Sequence, residues 1–85
     1  MIWKLIDKSA KTNLMKRIGE KLQTLRLRRG LTMGQLAEHL DTSHAQISRV
    51  ESGQRKPSAE LVFKISTFFA VPVERLMRDD LELEE

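Results

Sequence analysis

Apolar positions along this chain recur at steps of three and four, and the pattern is broken repeatedly by residues that stop helices. Ile18, Leu22 and Leu25 fall on one helical face, which predicts a first helix over roughly Leu14 to Arg29, ended by Gly30. Leu36, Ala37 and Leu40 mark the buried face of a second helix, from about Thr32 to Leu40. Thr32 followed by Gln35 has the capping-box spacing. Only Asp41 and Thr42 separate this helix from a third, where Ser43 and Gln46 repeat the spacing and Ile47 and Val50 are the apolar pair. A fourth starts at Ser58, after Pro57, and carries Leu61, Val62, Ile65, Phe68 and Phe69. A fifth starts near Pro72 with Val73, Leu76 and Met77. No strand is expected after residue 15, so the predicted fold class is all-α. The closing "DDLELEE" is acidic and expected to fray. The opening "MIWKLI" is more apolar than a free end needs, and "DKSAKTN" behind it reads as a linker or a weak helix start. The expected division is an extension over residues 1–13, a helical domain over 14–79 and a tail over 80–85.

Composition narrows the chemistry. A single domain of 85 residues has no room for a second, catalytic domain. Cysteine is absent, which removes disulfides and thiolate zinc sites and fits a reducing compartment. No apolar run approaches the roughly 18 residues of a membrane span, and the N-terminus makes a poor signal peptide. The expected location is therefore the cytoplasm. The formal net charge of +3 hides an asymmetry: residues 1–58 hold twelve Lys/Arg against five Asp/Glu, and residues 59–85 hold three against seven. Binding to a nucleic acid needs local positive charge, which the first segment supplies.

The second and third helices, joined by a tight turn, have the proportions of a helix-turn-helix, whose second helix can enter a DNA major groove. At about 100° per residue, His44, Ala45, Ser48, Arg49 and Ser52 share one flank of the third helix, opposite Ile47 and Val50. That flank has chemistry suited to base edges. Arg49 can donate two bonds to guanine O6 and N7, His44 can donate or accept, and the Ala45 methyl can meet a thymine methyl. Ser48 is short enough to let the helix approach closely. Catalysis is a poor rival: Asp41, Ser43 and His44 are sequence neighbours that point apart, whereas a triad needs a chain of contacts in space. His39 and His44 without cysteine do not make a zinc site. No cofactor is expected, and His39 is expected to be a solvated residue on the outer side of the second helix.

The pieces "LRLRRGLT", "QLAEHL", "ISRVESGQRKPS" and "VPVERL" closely resemble the helix-turn-helix domains of Cro/CI-type (XRE-type) transcriptional regulators, over residues 18–77. The resemblance implies a compact five-helix, lambda-repressor-like DNA-binding domain with the third helix as the reading element. It implies base contacts from His44, Ala45 and Arg49, with Ser48 on the same flank. It implies phosphate contacts from Thr32, Met33, Ser43, Ser52, Gln54, Arg55 and Lys56. It also implies an ion pair between Arg26 and Glu51 that ties the first helix to the end of the third. Three positions depart from the family pattern: Met33 stands where glutamine is common, Asp41 where the turn often has glycine, and His44 where Gln or Ser is usual.

The function this implies is sequence-specific binding of double-stranded DNA by a homodimeric regulator, a repressor acting at a palindromic operator. The rival is a protein-interaction module on the same fold, such as an antitoxin, with residues 1–13 as the partner contact. Expected dimer surfaces are Val73, Leu76 and Met77, the tail residues Leu81 and Leu83, and "MIWKLI"; these groups could equally form the core rim of one subunit, with "MIWKLI" folding back onto its own domain.

Overall fold

A computed structural model of the chain describes residues 14–84. The expectations for residues 1–13, as linker, dimer element or partner contact, lie outside the described residues. Among the described residues five helices follow one another: α1 (Ile18–Arg28), α2 (Met33–His39), α3 (His44–Glu51), α4 (Ala59–Phe69) and α5 (Val73–Met77). Their inner faces form one core of Ile18, Leu22, Leu25, Leu36, Ala37, Leu40, Ile47, Val50, Leu61, Val62, Ile65, Phe69 and Leu76. α3 packs against both α1 and α2, and α5 against α1 and α4.

α1 starts four residues later than the apolar spacing predicts. Leu14 instead makes an isolated antiparallel bridge with Arg78, and the Met15 N–H donates to the Met77 carbonyl at 2.7 Å. The physical reason is the left-handed backbone of Met15, φ 63°, which a right-handed helix cannot contain; Arg17 at the observed N-cap makes no side-chain cap bond. The amides of Lys16 and Arg17 donate to the Asp79 carboxylate, at 3.0 and 2.8 Å.

Four of the five helices close in the same way. One or two positions past each helix end a residue takes a left-handed backbone, and the next N–H donates back over five residues. Leu31 donates to Arg26 O, Thr42 to Ala37 O, Gln54 to Arg49 O and Val71 to Ser66 O, at 2.9–3.1 Å. The left-handed positions are Gly30, Asp41, Gly53 and Ala70, with φ of 68°, 55°, 82° and 56°. This is the Schellman closure, which satisfies the last carbonyls of a helix. Glycine fills the position without strain, and Asp tolerates it better than most side chains, so the α2–α3 turn survives with Asp41.

Two expectations about burial change. Leu76 is fully buried, so it cannot serve a dimer surface, while Val73 is 37% exposed. Phe68 is only partly buried: its ring stacks on His39 with centroids 4.8 Å apart, and the Arg29 guanidinium sits 5.1 Å from its centroid. His39 is thus exposed but not simply solvated.

The tail is tied down where fraying was expected. Glu82 receives both outer nitrogens of Arg17, at 3.1 and 3.2 Å, and Glu84 those of Arg28 at 3.1 and 3.2 Å. Two of its acids pair with Arg17, just before α1, and with Arg28 at its end, while both carboxylates stay exposed.

Candidate nucleic-acid interface

The α2–turn–α3 unit is set by its caps. Thr32 and Gln35 form the complete capping box at α2, with bonds of 3.1 and 2.9 Å. At α3 the Ser43 hydroxyl accepts from the Gln46 N–H at 3.1 Å, without the reciprocal bond that the repeated spacing predicted. Ile47 and Val50 are 0% and 1% exposed beneath α3. On the opposite flank His44, Ala45, Arg49 and Ser52 are exposed and Ser48 is partly so. Thr32, Ser43, Gln54, Arg55 and Lys56 are exposed as well. Met33 differs: its side chain packs against the core, so only its backbone N–H at the first turn of α2 can face a phosphate. Ser52 uses its hydroxyl proton on the Arg49 carbonyl, at 3.1 Å.

Charge is distributed by pairing. Arg17, Arg26, Arg28, Arg78 and Lys64 are all held by carboxylates. Among the described residues, Arg49, Arg55 and Lys56 make no such pair. Acids of residues 59–85 thus hold Arg17, Arg28, Lys64 and Arg78, Glu51 holds Arg26, and the positive charge beside α3 is left free. Counting charges along the chain could not separate these two groups.

The angle of α3 is fixed from behind. Arg26 donates to both carboxylate oxygens of Glu51, from Nε at 2.7 Å and Nη2 at 3.0 Å, and its Nη1 donates to the Leu31 carbonyl at 2.9 Å. The bond to Glu51 raises the Arg26 pKa above its ordinary value. Both side chains are covered, at 9% and 3% exposure. The pair links α1, the entry to α2 and the last residue of α3. Gly19 completes this contact: a Cβ there would lie 2.3 Å from the Val50 carbonyl oxygen and 2.9 Å from that of Glu51.

Sequence reasoning missed Gly19 and Lys21. Lys21 is 1% exposed and its Nζ donates to the carbonyls of Arg75 and Arg78, at 2.6 and 2.7 Å. It caps the C-terminal end of α5, where a cation meets unpaired carbonyls. Burial pushes its pKa below the ordinary 10.5. The only sequence signal was its place one residue before Leu22, on the edge of the apolar face.

A five-helix fold with an exposed second helix of a helix-turn-helix, braced by a covered ion pair, defines a class of DNA-binding domain. The sequence pattern of the helix-turn-helix family matches residues 22–76. The chain belongs to that family, and within it to the Cro/CI-type (XRE-type) transcriptional regulators. It is 47% identical over 58 residues to the HTH-type transcriptional activator BcrR of Enterococcus faecalis, covering 68% of this chain and 28% of that one. It is 41% identical over 64 residues to the HTH-type transcriptional repressor RghR of Bacillus subtilis (strain 168), covering 74% and 47%. The chain thus spans less than half the length of either relative. The fold is similar to that of the P22 c2 repressor in complex with a synthetic operator, with a TM-score of 0.69, 21% identity and coverage of 74% and 96%. It is also similar to the restriction-modification controller protein C.AhdI from Aeromonas hydrophila, with a TM-score of 0.66, 27% identity and coverage of 73% and 94%. No described helix is long and apolar enough to cross a membrane.

Proposed function

We propose that the protein binds a specific duplex DNA sequence with α3 in the major groove and acts as a repressor, as a homodimer on a palindromic operator. The observation that carries this reading is the two-sided character of α3: Ile47 and Val50 are buried while His44, Ala45 and Arg49 stand open. Arg49 and His44 read base edges, with Ala45 and Ser48 allowing close approach. Thr32, Ser43, Ser52, Gln54 and the unpaired Arg55 and Lys56 take phosphates, as does the Met33 backbone N–H. A single reading helix contacts too few base pairs to mark a unique site. Two copies would read half-sites about 34 Å apart. Repression asks least of such a domain, because occupancy of the operator suffices. The names of the two relatives cover both activation and repression, so a reporter gene behind the selected site checks the sign.

Selection of bound duplexes from a random pool, followed by a salt series on the winner, tests the proposal. The expected result is a twofold-symmetric consensus, with affinity falling steeply as salt rises. Absence of duplex binding at low salt would defeat it and leave the protein-interaction reading.

A further inference from the structure

Gly34 lies in the first turn of α2, where its backbone does not call for glycine. Gly30 and Gly53 hold a left-handed φ, and Gly34 does not. Inside a right-handed helix glycine is the weakest former short of proline. The reason for it lies in what stands over its α-carbon. A Cβ built on Gly34 would lie 4.0 Å from the His44 Cδ2 and 3.9 Å from the Thr32 Oγ1. The Thr32 wall is fixed, because the capping box with Gln35 pins its hydroxyl and its backbone N–H. The other wall is the imidazole. His44 is the first residue of α3, and a helical side chain leans back toward the N-terminus of its helix. That carries the ring to the first turn of α2. No described residue hydrogen-bonds the ring, and His44 is otherwise exposed. Its placement therefore rests on packing, and Gly34 is part of that packing.

We propose that Gly34 is a specificity-determining position: its missing side chain leaves the seat in which the His44 ring rests, and so sets the base edge that His44 reads. This deepens the proposed function and rests on it. A methyl group fits the gap at ordinary contact distance. A side chain branched at Cβ fills two of the three staggered positions and leaves the ring least room. Gly34 acts through His44 and is a positioning residue, with no base contact of its own.

Two measurements on the full chain test this. In the free protein, a nuclear Overhauser contact between His44 Hδ2 and the Gly34 α-protons is expected, and its absence would overturn the proposal. On DNA, affinities are measured for the selected duplex and for each of its single-base-pair variants. Gly34→Ala should keep the base preference and raise the thermal midpoint. Gly34→Val and Gly34→Ile should each lose roughly fivefold or more of the discrimination at the base pair that His44→Ala also affects. Discrimination at the base pair read by Arg49 should survive in both, which shows that α3 is still in place. In a His44→Ala background neither branched substitution should change the preference further. An unchanged preference in both branched variants would overturn the proposal. So would a loss spread over all base pairs, or one that persists without His44. Failure of the unaltered chain to bind any duplex would instead defeat the reading of function, and this proposal with it.

Discussion

Arg26 holds both carboxylate oxygens of Glu51, at 2.7 and 3.0 Å, so the last residue of α3 is clamped to the middle of α1. Glu51→Ala should lower stability by about 3 kcal/mol, because it strands a covered guanidinium. That is the lower end of the usual range, since Arg26 keeps its bond to the Leu31 carbonyl. A double-mutant cycle in denaturant should give a coupling well above the 0–1 kcal/mol or so of a surface pair. A coupling near zero would reject the bracing role.

Gly19 should be as sensitive for a steric reason. Its α-carbon faces the Val50 and Glu51 carbonyls, which are backbone and cannot swing aside. Gly19→Ala should destabilise by about 1–3 kcal/mol, the range for overpacking, although alanine is the better helix former. Ala70→Gly should act in the opposite sense, adding about 1 kcal/mol by relieving a left-handed alanine at φ 56°. Chemical denaturation of both variants checks the pair of signs.

These two sites show where reading the sequence stops. The five helices and the exposed flank of α3 were legible, because periodicity and capping are local. Ala70 carries no mark of its left-handed backbone, since the closure at α4 repeats the Gly30 and Gly53 pattern without glycine. The bonds of Lys21 to Arg75 and Arg78, and of Asp79 to the amides before α1, join residues more than fifty positions apart. No spacing rule spans that distance. A helix of five residues is too short for periodicity to choose between a dimer surface and the core for Leu76.

The buried ammonium of Lys21 makes a pH test possible. Its folded pKa lies below the ordinary 10.5, so the unfolded chain binds the proton more tightly. Below the folded pKa both states are charged and the whole desolvation penalty applies. The penalty fades as pH climbs from that point to 10.5, so the contribution of Lys21 to stability rises over this window. Unfolding free energies of the unaltered chain and of Lys21→Met should therefore diverge in favour of lysine as pH approaches 10.5. A constant difference between them would refute the argument.

The tail responds at the other end of the scale. Glu82 is held below its ordinary 4.5, first by the hydrogen bond from Arg17. Asp80 is held below 3.8, first by its bond from Arg78. Their contribution is present above these ordinary values and is lost as pH falls through the folded ones. Glu82→Gln should lower the melting temperature at neutral pH, and the gap from the unaltered chain should close in acid.

On DNA, Arg49→Ala should weaken the preferred site by about 1–3 kcal/mol and relax its specificity. Lys56→Ala should weaken all duplexes alike and reduce the salt slope by about one. Titrations on the selected and on a scrambled duplex separate the two. Equal losses on both for Arg49→Ala would remove it from the base readers.

The bridge between Leu14 and Arg78 has an architectural outcome. The residues that flank the first and last helices meet there. From that point residues 79–84 run back along α1, past Arg17 and on to Arg28, so a cargo fused ahead of Leu14 and one fused behind Glu84 would stand at opposite ends of the first helix.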